Sequence, residues 1–202
     1  MKRFLLLMLV SGAAVAAAPF SHKLHLQLKL ECTGCHRAAL TSNQVQDNLL
    51  PAKEVCQKCH ANAEIPGPPT TRVVKFNNSL HLKMGNVASI IAAAIDHRRY
   101  LQPPGDIRRH LNTGNACGAC HRGMAESEQV TKANLPQMAD CLVCHTVIQT
   151  PFSCEDCHAK GAELRPQSHL VQNFVDSHSN KAVEKSSCAV CHGRRFTCMG
   201  CH

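Results

Sequence analysis

One long apolar run opens the chain: Phe4 to Ala18 holds no charged residue, and Lys2 and Arg3 stand directly before it. A positive start, an apolar middle and a string of small residues from Ala13 to Ala18 read as a secretory leader over residues 1–17, cut after Ala16 or Ala17. The run is too short for a membrane span. Farther on, the pattern becomes periodic. Val87, Ile90, Ile91, Ala94 and Ile95 recur at helical spacing, His97 extends that face, and Pro103-Pro104-Gly105 stops the helix. Residues 168–178 read as another short helix, with Val171, Phe174, Val175 and His178 on one side and His169 pointing away. Ile65-Pro-Gly-Pro-Pro69 is a stiff linker, so the exported chain divides into residues 18–68 and 69–202. The remaining apolar stretches are short and broken, which predicts a mainly α fold with extensive loop and little sheet.

That pattern leaves little from which to build a core. Aromatic residues are 3% of the 202, with no Trp, one Tyr and six Phe. At 44% hydrophobic and 18% charged the chain is still not a disordered polyelectrolyte. Cys and His number 14 each, so something other than aromatic side chains is expected to fill the interior.

All the cysteines fall into pairs of one form. They are Cys32-x-x-Cys35-His36, Cys56-x-x-Cys59-His60, Cys117-x-x-Cys120-His121 and Cys141-x-x-Cys144-His145. Cys154-x-x-Cys157-His158, Cys188-x-x-Cys191-His192 and Cys198-x-x-Cys201-His202 follow. C-x-x-C-H is the attachment signature of c-type haem. Two thiols at this spacing add to the two vinyl groups on one porphyrin edge, and the next residue turns its imidazole to the iron. Disulfides or zinc half-sites would also use paired cysteines, but neither requires a histidine after every pair. The expectation is seven covalently attached haems, packed closely enough to supply the missing core. They also change the charge. Losing Lys2 and Arg3 takes the formal +8 to +6, and seven oxidised bis-histidine haems with ionised propionates bring it to about −1. The basic sequence therefore does not point to nucleic acid.

Residues 25–60 align without gaps on 110–145, and 14 of the 36 pairs are identical, including Arg37/Arg122, Ser42/Ser127, Gln44/Gln129 and Pro51/Pro136. A dihaem module has been duplicated inside the 69–202 region. Each copy places a histidine, His25 or His110, seven residues before its first cysteine. The histidines outside the motifs are His22, His25, His81, His97, His110, His169 and His178, one for each haem if every iron is bis-histidine. Such ligation closes the iron and favours low potentials. Met84, Met124, Met138 and Met199 are alternative ligands, though core filling suits each better.

The run Phe20-Ser21-His22-Lys23-Leu24-His25, followed by Cys32-x-x-Cys35-His36, resembles the start of class III cytochromes c, the small periplasmic multihaem proteins of the cytochrome c3/c7 type. The resemblance covers about residues 19–61 and, more weakly, 110–145. It implies low-potential electron shuttling, with His22 capping the haem of Cys32/Cys35 and His25 a neighbouring one. The chain departs in its seven sites and in the insertion that holds His81 and His97.

The reading that follows is a periplasmic or extracellular electron-transfer cytochrome and not an enzyme, exchanging electrons with other redox proteins as donor and acceptor. Two alternatives stay open. One is a haem reductase of nitrite, hydroxylamine or sulfur oxyanions with one open iron. The other is a self-associating subunit of an extracellular cytochrome filament. Because Cys198 follows so closely on Cys188 and His202 ends the chain, the last haem is expected to be an exposed electrical terminus, with Arg194 and Arg195 beside it.

Overall fold

The computed structural model describes residues 20–65, 67, 71–148, 153–177 and 185–192. The leader, most of the proline linker, His178, Arg194, Arg195 and the Cys198/Cys201/His202 site lie outside them. Among the described residues the chain forms short helices joined by loops. These are α1 (His22–Gln27), α2 (Cys32–Cys35), α3 (Lys53–Gln57), α4 (Asn78–Lys83), α5 (Ala88–Asp96), α6 (Met138–Ile148), α7 (Phe174–Ser177) and α8 (Lys185–His192), with 3₁₀ turns between. The described residues hold no strand, only an isolated bridge between Val73 and His158, so the mainly α expectation holds.

A small protein core sits at the centre. Helix α5 buries Ala94 and packs Ala88, Ile91 and Ala92 against Tyr100, Leu111, Ala119 and Ala139. Its buried face is rotated from the predicted one, since Ile90 is 49% exposed and His97 caps the helix on the outside. The helix also ends well before Pro103. Arg98 takes a left-handed φ of 54°, and the amides of Arg99 and Tyr100 turn back onto the Ala94 carbonyl, which closes the last turn. This core contains few large side chains, and none of them is completely buried. The expected shortage of protein core is real.

Within it lies a polar network that sequence reasoning missed. Arg122, 2% exposed, donates to Asp140 Oδ2 at 2.8 Å and to the Ala119 carbonyl at 3.0 Å. The Tyr100 hydroxyl donates to Asp140 Oδ1 at 2.7 Å, and the Gln137 amide donates to Oδ2 at 2.7 Å. Arg122 directly follows His121 and Asp140 directly precedes Cys141. The network therefore clamps the third motif to the fourth.

The two aligned segments make matching local contacts. Ser42 Oγ donates to the Gln44 carbonyl (3.2 Å) and Ser127 Oγ to the Gln129 carbonyl (2.8 Å). Helices α1 and α4 are also a matched pair. Ser21 and Asn77 cap them by accepting from Leu24 N and Leu80 N, and Phe20 and Phe76 lie flat on His25 and His81 at 4.3 and 4.5 Å. The docking is exchanged between the copies. In α1, Lys23 N donates to the Ser127 carbonyl of the second copy (3.0 Å), whereas in α4, Ser79 N donates to the Ser42 carbonyl of the first (2.9 Å). A local two-fold thus relates α1 with the first copy to α4 with the second.

The helix expected over 168–178 is instead broken. A 3₁₀ turn covers Gln167–Leu170, Val171 is extended, Asn173 has φ 66°, and only then does α7 begin. Asparagine tolerates the left-handed region, so the kink lands on the residue best able to take it. His169 and α7 therefore do not lie on one continuous helix.

Candidate functional site

Among the described residues, each C-x-x-C-H begins as one helical turn. The His36, His60, His121 and His158 amides donate to the carbonyl of their first cysteine at 2.7, 2.9, 2.8 and 2.9 Å. The fourth and sixth motifs lie in α6 and α8. This places two thiols and an imidazole around one turn, on one side. The described thiols are free, and among the described residues no group of three or more His, Cys, Asp or Glu is gathered as a zinc site would need.

The imidazoles meet in pairs. His22 faces His36 with ring centres 6.3 Å apart and planes inclined by 11°. His25 faces His60 at 6.0 Å, His81 faces His145 at 6.3 Å, and His169 faces His192 at 6.3 Å. A metal-bound imidazole nitrogen lies about 2 Å from its ion, and the ring centre roughly 1.1 Å farther. Two imidazoles on opposite sides of one ion therefore have centres about 6.2 Å apart. The four pairs match that span, so the residues present fit a haem iron between them.

The ring nitrogens point the same way. Nδ1 of His25 and His81 donates to the Ser21 and Asn77 carbonyls at 2.8 Å, Nδ1 of His36 to the Leu49 carbonyl at 2.8 Å, and Nδ1 of His158 to the Arg72 carbonyl at 3.0 Å. A carbonyl only accepts, so Nδ1 carries the proton and Nε2 keeps its lone pair for metal. His121 is held likewise by the Asn134 backbone, the counterpart of Leu49. His22 Nδ1 is buried without a partner. Burial and then His36 lower the His22 pKa, and burial lowers that of His121 against the Asn134 contact. Neutral rings are the form that ligates metal.

Two candidates stand apart. His110 accepts at Nε2 from Arg109 Nε (3.1 Å) and packs on Gly123 near Glu126, so that nitrogen is engaged by protein. His97 is exposed at the end of α5. Among the described residues no imidazole stands across from His121 or His158 at the spacing of the four pairs.

Neighbouring thiols link the motifs. Asn115 Nδ2 donates to Cys32 Sγ at 3.2 Å, and Cys117 lies beside it, its thiol raised by burial and then by Cys32. Burial and Asp140 push the Cys141 thiol up to about 11, and Cys120 and Cys157 add to this. Burial and then Cys154 raise the Cys191 thiol. The motifs therefore neighbour one another in the order first, third, fourth, fifth, sixth. The second joins the first through α1, which carries both His22 and His25.

Sequence reasoning missed the phenylalanines that back the partner rings: Phe20, Phe76 and Phe174, the last stacked on His169 at 4.3 Å. The signal was present as Phe-x-x-x-Leu-His at 20–25 and 76–81. Among the described residues no helix is long and apolar enough to cross a membrane.

No curated protein and no solved structure matches the chain. One family model does, that of the outer membrane cytochrome MtrC/MtrF-like domains II/IV, over residues 28–202. That match begins just after α1, so of the segment resembling class III cytochromes it leaves out the opening run with His22 and His25 and takes in the rest. With all of its C-x-x-C-H motifs inside the matched span, the chain belongs to the MtrC/MtrF-like family of outer membrane multihaem cytochromes.

Proposed function

We propose that this protein is an exported electron-transfer cytochrome with seven covalently attached c-type haems, acting as a carrier and not as an enzyme. The supporting observation is the set of four imidazole pairs at 6.0–6.3 Å. His22, His25, His81 and His169 are the distal ligands in this reading, opposite His36, His60, His145 and His192. Haem supplies reversible one-electron chemistry at iron. The chain's own contribution is spacing and burial. Backbone carbonyls fix the ring tautomers, Phe20, Phe76 and Phe174 wall the distal rings, and the Arg122–Asp140 clamp sets the third site against the fourth.

The succession of neighbouring thiols gives the conduit an order that differs from the order along the chain. The second site, with exposed Cys59 and His60, is one end of it. Among the described sites the other end is the sixth, with exposed Cys191 and His192. Redox proteins are the partners at both ends. Intact mass and spectropotentiometry of the exported protein test the reading: seven haem additions and a series of low potentials are expected, and two or fewer additions refute it.

A further inference from the structure

The local two-fold makes a position in α4 comparable with one in α1. It carries α1 onto α4 with an offset of 56 and the first copy onto the second with an offset of 85, and it is marked by several matched pairs of contacts. The caps Ser21 and Asn77 correspond, as do the stacks Phe20/His25 and Phe76/His81, and the docking bonds Lys23 to Ser127 and Ser79 to Ser42. The ring pairs obey it too, since His25 faces His60 and His81 faces His145. Cys32 and Cys117, which the operation interchanges, lie side by side, as groups close to a two-fold must. Under the same operation the pair His22/His36 becomes Asn78/His121. The second copy therefore has asparagine where the first has its ligand histidine, and Asn78 is half-buried there.

We propose that Asn78 occupies the distal side of the haem attached at Cys117 and Cys120, leaving its iron open to a small diatomic ligand of ferrous haem. This rests on the haem reading above. A carboxamide is not among the side chains that hold haem iron (His, Met, Cys and Tyr). It is also shorter than an imidazole, and its NH₂ donates hydrogen bonds to a polar ligand atom. His110 does not substitute for it, because that ring packs on Gly123, close to the Asn134 side chain, with Nε2 held by Arg109. The site is thus a ligand-binding haem set inside the conduit, next to the first site.

The test is carbon monoxide binding to the reduced holoprotein, with the ferric spin state read by electron paramagnetic resonance. Wild type is expected to bind at least one carbon monoxide per chain and to show a high-spin ferric signal. Asn78→His should bind one fewer and lose one high-spin iron. Asn78→Ala, the milder change, should keep the wild-type stoichiometry while one C–O stretching band moves to higher frequency for want of the carboxamide donor. A wild type that is low-spin at every haem overturns the proposal. So does an Asn78→His variant that binds as much as wild type, or an Asn78→Ala variant with no band shifted. Mass analysis of the peptide holding Cys117 to His121 separates the two levels. If that peptide carries no haem, the haem reading itself has failed; if it carries haem on a closed iron, only this inference has.

Discussion

Asp140→Ala isolates the protein's own contribution to stability from that of its prosthetic groups. The Asp140 carboxylate is the sole acid of a buried cluster, accepting from Arg122 at 2.8 Å, the Tyr100 hydroxyl at 2.7 Å and the Gln137 amide at 2.7 Å. Removing it leaves the Arg122 guanidinium, 2% exposed, with the Ala119 carbonyl as its remaining acceptor, and Arg122 Nε already has none. Breaking one side of a buried ion pair costs about 3–5 kcal/mol. At about 2–4 °C per kcal/mol for a chain of this size, the melting temperature should fall by roughly 6–20 °C. The assay is thermal and guanidinium unfolding followed by far-ultraviolet circular dichroism on the holoprotein. The double variant Arg122→Met/Asp140→Leu should recover most of the loss, because replacing a buried pair with apolar groups of similar volume is often neutral. An Asp140→Ala protein within about 1 kcal/mol of wild type would refute the reasoning and assign the centre of the fold to the porphyrins alone.

The exposed pair Glu163–Arg165 provides the contrast: its 2.9 Å contact is solvated, so Glu163→Ala should leave the melting temperature unchanged. Burial, then the charge of Asp140, holds the Tyr100 hydroxyl above its ordinary value of 10.0. That raised pKa contributes stability below pH 10 and loses it as pH rises beyond, by up to about 1.4 kcal/mol per unit. Unfolding curves of Tyr100→Phe should show a shallower alkaline decline than those of wild type. His81→Ala should create one extra high-spin haem and His110→Ala none, a difference that paramagnetic resonance reads directly. His22→Asn should reproduce at His36 the situation of His121 and raise carbon monoxide binding by one per chain.

The motif turns, the duplication and helix α5 were all legible because each is a local pattern with one fixed period. The exchange of α1 and α4 was not. Its two offsets, 56 for the helices and 85 for the haem motifs, never coincide in a single alignment, and Phe76-Asn77-Asn78-Ser79-Leu80-His81 lacks the first histidine of its counterpart. Equating His25 with His110 followed the longer alignment, while the ring that actually faces His145 comes from α4. The buried network was invisible for another reason. Arg122 shares its place in the repeat with exposed Arg37, and what buries it is Asp140, where the first copy has Val55. Residues 168–178 carry a helical period, but periodicity reports which face is apolar and says nothing of a left-handed residue at Asn173.

The traded helices also bear on how such a protein is inherited. Each half of the duplicated unit holds the other's docking turn, with Lys23 bonded to Ser127 and Ser79 to Ser42. A recombination that separated the halves would strip α1 of the surface it packs on and leave the first copy's turn bare. The smallest piece that can be shuffled into another cytochrome intact therefore runs from Phe20 to His145, four haem sites long, although the sequence repeat within it carries only two.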